Sequence, residues 1–272
     1  MSGQKRIALL LCDTPIPDVV STDGDYTAIF STLLRNALPK GADVDFTVDP
    51  YDVRNKLEYP ASIDDYDALM LTGSAASAYE NLEWINRLVE YVREVALTKP
   101  QVKIFGICFG HQIVARALGG ECVPNGRNWE VGVTEVSLTP LGQQLLGVPA
   151  INIQQMHRDH VPATPPSFHL LGSTSIAPNQ GMVRFRDAAS EGPESSASSS
   201  TSAKRAQDVH IFTVQGHPEF TTRIVDKIVR ARESTGVLTA QIAEDARRRA
   251  NWRNDGVDVV GKFLWEALGV IA

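Results

Sequence analysis

Short apolar runs and longer amphipathic stretches alternate along the first part of the chain. An apolar run bounded by turn residues is typical of a buried strand, and apolar residues recurring every three or four positions are typical of a helix. Because strands that alternate with helices build parallel sheets, the pattern predicts an α/β fold with a doubly wound, mostly parallel sheet flanked by helices. The predicted strands are Arg6–Cys12, Val44–Val48, Tyr66–Leu71 and Val102–Ile107, and the predicted helices are Tyr26–Ala37 and Asn81–Leu97.

The pattern changes in the middle of the chain, where short apolar runs follow one another more closely. Consecutive strands of this kind indicate a more antiparallel region. Residues 188–208 interrupt it, and because they are rich in serine and almost free of large apolar side chains, we expect a flexible insertion there. The predicted strands of this region are Gly132–Leu138, Ile151–Met156, His169–Thr174, Met182–Arg186 and a last strand that begins at Val209.

The C-terminal part carries three helical patterns, Thr222–Thr235, Thr239–Trp252 and Val257–Leu268. We place one domain at residues 1–236, completed by the first of these helices. The other two are expected to form a C-terminal helical extension, residues 237–272, packed on that domain. Trp252 and Trp265 are its large apolar anchors. An exposed tryptophan face would instead make the extension a docking surface for a partner.

A cysteine, Cys108, lies where the strand ending at Ile107 meets a helical segment. Gly106 and Gly110 stand two residues before and two residues after it. A nucleophile elbow needs small residues at those positions, because its backbone is strained and the strand packs closely on the following helix. The first N–H groups of that helix point at the sulfur, which favours the thiolate. By itself, the spacing is equally compatible with a buried structural cysteine.

A histidine and a glutamate follow at the end of the last predicted strand. His217 and Glu219 are two residues apart on an extended backbone that contains Pro218, so their side chains point to the same side. Such a pair suits a thiol, because His217 can accept the proton of Cys108 while Glu219 orients the imidazole and stabilises the imidazolium. Together the two motifs predict a Cys-His-Glu catalytic triad.

The stretches GICFGHQ, residues 106–112, and QGHPEF, residues 215–220, resemble the triad motifs of class I glutamine amidotransferases. The resemblance extends from about Arg6 to Ile228 and implies the flavodoxin-like fold of that family. It also implies an oxyanion hole at Gly73 and Phe109, whose N–H groups would stabilise the tetrahedral intermediate. Ser74, next to Gly73, and Gln112 then correspond to positions that contact the substrate.

Two further segments correspond to substrate-binding positions of the family. Trp129 and Glu130 follow the elbow helix, where the family grips the α-amino and α-carboxylate groups, although these residues could equally close a surface loop. His157 and Asp159 belong to a segment that resembles the loop flanking the active site of stand-alone amidotransferase-like proteins. A zinc site at His157, Asp159 and His160 lacks further ligands at suitable spacing, so we expect no metal.

The composition excludes several classes of function. A chain of 272 residues with 43% apolar residues can bury a sizeable core but leaves no room for a full synthase domain. A net charge of −6 without a Lys/Arg stripe argues against a nucleic-acid partner. Three scattered cysteines indicate a reducing compartment, so we expect a cytoplasmic protein, with the nucleus as a second location. The first apolar run is too short for a membrane span, and we expect no membrane partner.

The function that this sequence predicts is hydrolysis of a γ-glutamyl amide, either glutamine or a γ-glutamyl conjugate, through a γ-glutamyl thioester on Cys108. The resemblance is especially close to stand-alone proteins of fungi and plants, some of which are γ-glutamyl peptidases, and it implies a small-molecule substrate and no cofactor. Two alternatives stay open. The chain could supply ammonia to a separate synthase chain as its partner, or it could be a non-catalytic regulatory protein that retains the fold. A chaperone or peptidase of the related cysteine-elbow superfamily is disfavoured. Those proteins have a histidine directly after the cysteine, where this chain has Phe109.

Overall fold

The computed structural model describes residues 3–126, 128–186 and 204–271. A central sheet is built from β1 (Gly3–Leu11), β2 (Val44–Asp52), β3 (Ala68–Leu71), β4 (Lys103–Ile107), β6 (Glu130–Leu138), β7 (Ala150–His157), β9 (His169–Ser173), β10 (Gly181–Phe185) and β11 (Val209–Val214). Two short strands, β5 (Val123–Pro124) and β8 (Asp159–His160), pair separately. The order of strands in the central sheet is β2-β1-β3-β4-β11-β10-β9-β6-β7.

The first half of this sheet is parallel and the second half antiparallel. Strands β2, β1, β3, β4 and β11 all run in the same direction. From β11 onward, each neighbouring pair is antiparallel. The predicted α/β class, the mostly parallel sheet with flanking helices and the antiparallel region are confirmed. The parallel arrangement brings the carboxyl ends of β3, β4 and β11 to one edge, where ligands of open α/β sheets bind.

Helices cover the two faces of the sheet. They are α1 (Pro17–Asp23), α2 (Tyr26–Ala37), α3 (Glu83–Thr98), α4 (Phe109–Ala117), α5 (Pro140–Leu146), α6 (Thr222–Ser234), α7 (Ala240–Arg248) and α8 (Lys262–Ala267), the last preceded by a π-helix at Gly256–Gly261. Helices α3 and α4 pack on one face through Ile85, Leu88 and Ile113. On the other face, α2 and α8 meet through Phe30, Leu34 and Phe263.

The C-terminal residues contribute directly to the core. Trp265 is fully buried, and its indole Nε1 donates a hydrogen bond to the carbonyl of Leu34 at 2.8 Å. By contrast, 52% of the Trp252 surface is exposed. One of the two predicted anchors is therefore a core residue, while the other faces solvent. The proposed division of the chain at residue 236 stays a prediction.

Several predicted boundaries differ from the structure for local reasons. Helix α1 lies between the predicted strand Arg6–Cys12 and the predicted helix Tyr26–Ala37, where no helix was predicted, and Pro17 occupies its first turn, a position that tolerates proline. Helix α5 was also not predicted, and Pro140 opens it behind the Thr139 N-cap. The pattern Val257–Leu268 predicted one α-helix, but its first turns are π-helical. Strand β2 extends to Asp52, beyond the predicted end at Val48.

Most of the predicted serine-rich insertion, residues 188–203, lies outside the described residues. Within the described part of the chain, no helix combines the length and the apolar character that a membrane span requires.

Candidate active site

Cys108 lies in the tight turn between β4 and α4. Its backbone has φ 53° and ψ −104°, a strained conformation for a residue with a Cβ. The turn requires its glycines, because a Cβ on Gly106 would lie 2.7 Å from the Gly110 carbonyl oxygen. A Cβ on Gly110 would lie 2.7 Å from the Cβ of Leu71. The Cys108 amide donates to the carbonyl of Val214 at 2.9 Å. This is the geometry of a nucleophile elbow.

The Cys108 thiol differs from the other two thiols of the chain in its surroundings. Although only 4% of Cys108 is exposed, its side chain lines two cavities. The side-chain amide of Gln215 donates to its sulfur over 3.7 Å. Burial raises the pKa of Cys12 to about 12 and also raises the pKa of Cys122. Because a protonated thiol is a poor nucleophile, Cys12 and Cys122 are poorly suited to react, and the role of Cys108 as the nucleophile stays a prediction.

His217 lies next to both Cys108 and Glu219. Its Nδ1 atom is 2.7 Å from Oε1 of Glu219, and its ring stacks on Phe220 with 4.0 Å between the ring centroids. Its backbone N–H donates to the carbonyl of Gln154 at 2.8 Å. Burial opposes a charged imidazole, but the charges of Cys108 and Glu219 outweigh it and raise the pKa of His217 to about 10. The imidazole is therefore suited to hold a proton taken from the thiol.

The two predicted oxyanion donors, the backbone N–H groups of Gly73 and Phe109, belong to segments next to Cys108. Phe109 directly follows Cys108 as the first residue of α4. A Cβ on Gly73 would lie 2.8 Å from Cε1 of His217 and 3.6 Å from the Cβ of Cys108, so the Gly73 backbone touches both side chains. Among residues 3–126, 128–186 and 204–271, neither Gly73 N–H nor Phe109 N–H donates a hydrogen bond. Both are available to an oxyanion, and that role stays a prediction.

Two cavities of different character meet at Cys108. The first is here called the polar cavity. Its polar lining includes Ser74, Ser77, Gln112, His157, Arg158 and Asp159. The second, here called the apolar cavity, extends from Cys108 past His217. Its apolar lining includes Ile16, Val19, Ile29, Phe220, Ile224 and Ile228.

The predicted substrate residues Ser74, Gln112 and Asp159 all line the polar cavity. Gln112 is buried rather than solvated, and its amide donates to the Asp159 carbonyl at 3.0 Å and to Oε1 of Gln215 at 3.1 Å. The Asp159 carboxylate accepts a hydrogen bond from Ser77 at 2.6 Å through Oδ2. Its Oδ1 atom accepts no hydrogen bond among the described residues and lies 3.8 Å from Nε of Arg158. A carboxylate oxygen that accepts no hydrogen bond is suited to an ammonium group.

Of the remaining predicted substrate residues, Trp129 and His157 line the polar cavity and Glu130 does not. Glu130 Oε2 lies 3.0 Å from Nε2 of His157 and accepts from Gln180 at 2.6 Å. Its Oε1 accepts from Thr174 at 2.7 Å. Glu130 therefore supports His157 from behind. Its predicted contact with substrate stays a prediction, but this geometry favours an indirect role.

Three polar residues of the apolar cavity were missed by the sequence analysis. Asp13 follows β1, and its position beyond the carboxyl end of a parallel strand was a usable signal. Tyr26 and Arg232 come from the helices α2 and α6. Their spacing along the chain carried no such signal, because a polar residue on a helix is ordinarily a solvated one.

The contact between the C-terminal segment and the His217 loop was also missed. A Cβ on Gly256 would lie 2.5 Å from the carbonyl oxygen of Pro218. The amide of Asn254 donates to the Phe220 carbonyl at 3.2 Å. The π-helical turn that begins at Gly256 is thus packed directly on the backbone that carries His217 and Glu219.

Fold and site together define an α/β protein with a cysteine at a nucleophile elbow and a His-Glu pair in the loop that follows the neighbouring strand β11. The sequence model of the family described as glutamine amidotransferase class-I matches residues 25–232. The chain belongs to the class I glutamine amidotransferase family.

Individual relatives agree with this assignment. A glutamine amidotransferase-like protein of Schizosaccharomyces pombe is 36% identical over 269 residues, which cover 96% of this chain and 99% of that protein. Gamma-glutamyl peptidase 3 of Arabidopsis thaliana is 27% identical over 90% of this chain and 88% of its own length. A crystal structure of a glutamine amidotransferase from Thermotoga maritima is similar in fold, with a TM-score of 0.66 and 17% identity, covering 97% of this chain and 98% of that one.

Proposed function

We propose that this protein hydrolyses γ-glutamyl amides through a γ-glutamyl thioester on Cys108. The observation that carries the proposal is the placement of His217, which is paired with Glu219 at 2.7 Å and lies beside the thiol at the junction of two cavities. A buried thiol, an oriented base and two free N–H groups are the parts that acyl transfer requires. A substrate whose carbonyl group lies at Cys108 would place one of its halves in each of the two cavities.

The γ-glutamyl half fits the polar cavity. That half carries an α-ammonium and an α-carboxylate group, which need polar partners when they leave water. The Oδ1 atom of Asp159, which accepts no hydrogen bond among the described residues, suits the ammonium group. The Arg158 guanidinium lines the same cavity, with its Nε 3.8 Å from that Oδ1 atom, and suits the carboxylate.

The reaction begins when the Cys108 thiolate attacks the γ-carbonyl carbon, with its proton held on His217. The carbonyl oxygen becomes an oxyanion, which the N–H groups of Gly73 and Phe109 stabilise by about 3 kcal/mol each. The carbon–nitrogen bond then breaks, and His217 donates its proton to the leaving amine. Water, deprotonated by His217, attacks the thioester and releases glutamate. In the overall reaction, one water molecule hydrolyses one amide bond and the products are glutamate and a free amine.

The experiment that tests this proposal measures glutamate release from glutamine and from γ-glutamyl amides by the purified protein. We expect turnover in the wild type and its loss in Cys108→Ala, with a Cys108 acyl adduct detected by mass spectrometry at early times. Cys122→Ala is the matched control, because Cys122 is buried and does not line either cavity. Equal turnover in the wild type and Cys108→Ala would refute the mechanism.

A further inference from the structure

The segment that follows β3, here called the Gly73 loop, consists of residues 72–75. The backbone ladder from β1 reaches this loop at Thr72, whose N–H donates to the Leu10 carbonyl at 3.2 Å. The Thr72 side chain continues the contact, because its Oγ1 accepts from the Cys12 N–H at 2.9 Å and donates to the Gly73 carbonyl at 3.0 Å. One end of the loop is thus fixed to β1 by both the backbone and the side chain of Thr72.

Asp13, the second residue after β1, holds the other end of the Gly73 loop. Its Oδ2 atom accepts hydrogen bonds from the Ala75 N–H at 2.7 Å and from Ser74 Oγ at 3.2 Å. A hydrogen bond from a backbone N–H to an ionised carboxylate is about twice as strong as one between neutral groups. Because the Ser74 hydroxyl donates its hydrogen to Asp13, it serves to fix the loop. Gly73 therefore lies between two anchored residues.

Arg54 brings a positive charge to Asp13 from the neighbouring strand. It is the second residue after β2, and the parallel register that pairs Leu11 with Asp52 brings Arg54 next to Asp13. Its guanidinium donates to Oδ1 of Asp13, while Oδ2 is the oxygen that holds the Gly73 loop. The side chain of Asp13 is only 16% exposed, so a partner for its charge is needed there.

Arg54 also lies next to the second predicted oxyanion donor. Its guanidinium carbon is 5.9 Å from the centroid of the Trp84 ring. That ring stacks on Phe109, with 5.4 Å between the ring centroids and 24° between the ring planes. The Asp13–Arg54 pair thus contacts the loop of Gly73 directly and reaches Phe109 through Trp84.

The charge of Asp13 would oppose the reaction if it stood alone. Asp13 and Cys108 line the same apolar cavity, and the tetrahedral intermediate formed at Cys108 carries a negative charge. Like charges repel, most strongly where water is scarce. Arg54 offsets this repulsion, so the carboxylate can hold the Gly73 loop without raising the energy of the oxyanion.

We propose that Asp13 and Arg54 are positioning residues of the oxyanion hole, a role that rests on the proposed function. Asp13 fixes the Gly73 loop so that the Gly73 N–H is in place before the oxyanion forms, and Arg54 holds and neutralises the carboxylate. Donors of this kind act because they are oriented in advance. A misplacement of about 1 Å is enough to lower a rate about 100-fold.

The test compares a reaction that forms an oxyanion with one that does not. Hydrolysis of glutamine and of γ-glutamyl-p-nitroanilide proceeds through a tetrahedral oxyanion, whereas iodoacetamide alkylates a thiolate by displacement of iodide and forms none. In Asp13→Ala we expect kcat/KM to fall about 10- to 100-fold on both substrates. The rate of Cys108 alkylation, followed by mass spectrometry, should not fall. A merely structural role would lower both reactions.

Two further variants and one control sharpen the comparison. Asp13→Asn keeps an oxygen that can accept from the Ala75 N–H, and should recover part of the activity lost in Asp13→Ala. Arg54→Met keeps an apolar side chain near Trp84, and should lower kcat/KM by a smaller factor than Asp13→Ala. Asp49→Ala is the matched control, because Asp49 pairs with Arg6 at 2.9 Å across the same two strands and lines neither cavity. Both of its rates should equal those of the wild type.

Three outcomes would overturn the inference. The first is undiminished kcat/KM in folded Asp13→Ala or, if that protein does not fold, in Arg54→Met. The second is a loss confined to one substrate, which would mean that Asp13 contacts the leaving amine. The third is an equal loss of hydrolysis and alkylation, which would mean support of the thiol or of the whole fold. Absence of glutamate release by the wild type would instead refute the proposed function itself.

Discussion

The Nδ1 atom of His217 lies 2.7 Å from Oε1 of Glu219, and both side chains are buried. The contact determines which ring nitrogen faces Glu219 and leaves the other side of the ring toward Cys108. Oε2 of Glu219 has no hydrogen-bond partner among the described residues, so His217 is the group that compensates its burial. Each residue therefore depends on the other, and substitutions of the pair should have unequal effects.

The first prediction concerns that inequality. His217→Ala should abolish turnover, because the imidazole carries the proton in both half-reactions. Glu219→Gln should also lower kcat, but the loss should be roughly one to two orders of magnitude smaller than in His217→Ala. The reason is that the carboxylate orients and stabilises the imidazole without transferring a proton. Steady-state kinetics with glutamate detection measures both values, and circular dichroism checks folding. A folded Glu219→Gln protein as inactive as His217→Ala would contradict the indirect role of Glu219.

The second prediction is a pH dependence. The pKa of His217 rises from 6.5 to about 10 in the folded protein, because the charges of Cys108 and Glu219 outweigh the effect of burial. A raised pKa means that the folded state binds the proton more tightly, so this group stabilises the fold fully below about pH 6.5 and no longer does so above about pH 10. The difference in free energy of unfolding between the wild type and His217→Gln should shrink across that interval. A constant difference from pH 6 to pH 10 would show that the pKa is not raised.

The third prediction concerns Gly73. An added Cβ would lie 2.8 Å from Cε1 of His217, which is the far end of a side chain that can move. Gly73→Ala should therefore leave the melting temperature nearly unchanged but displace the imidazole and lower kcat by about 100-fold. Gly3→Ala is the control, because a Cβ on Gly3 has no atom within 4 Å. Full activity in Gly73→Ala would mean that the imidazole does not need the position seen here.

The fourth prediction concerns the reactivity of the thiols. An electrophilic glutamine analogue should alkylate Cys108 and leave Cys12 and Cys122 unmodified, because burial raises the pKa of both other thiols. Peptide mapping by mass spectrometry after brief labelling measures the selectivity. Labelling should also slow in the presence of a γ-glutamyl substrate. Comparable labelling of all three cysteines in the folded protein would argue against an activated Cys108.

The fifth prediction concerns the C-terminal contact with the His217 loop. An added Cβ at Gly256 would lie 2.5 Å from the backbone oxygen of Pro218, which cannot move without the residues on either side of it. Gly256→Ala should cost about 1–3 kcal/mol of unfolding free energy and also lower kcat of the folded fraction. Asn254→Ala removes the hydrogen bonds to the Phe220 carbonyl and from the Gly256 N–H without a clash, and should have a smaller effect of the same kind. Reduced stability with an unchanged kcat would limit Gly256 to a packing role.

Parts of this picture followed from the sequence because they depend on local chemistry. The strand-helix alternation predicted the sheet, since burial periodicity is a property of each segment. The glycines around Cys108 predicted its turn, because Gly106 and Gly110 are needed wherever a strand and a helix approach so closely. The short helices α1 and α5 were not predicted, and in both of them proline occupies the first turn, at Pro17 and Pro140.

The sequence by itself determined the fold class, the family and the residues from which a nucleophile and its base would come, because each of these is encoded within one short segment. Only the tertiary structure decided what surrounds them. Arg232 and Gly256 lie far from Cys108 in the chain, and no periodicity or motif records that Arg232 of α6 lines the same cavities as Cys108. Likewise, Glu130 proved to lie behind His157 because pairing of β6 with β7 places the two residues opposite each other. The cavities form where helices, strands and loops from distant parts of the chain contact one another. Those contacts depend on the packing of the whole chain.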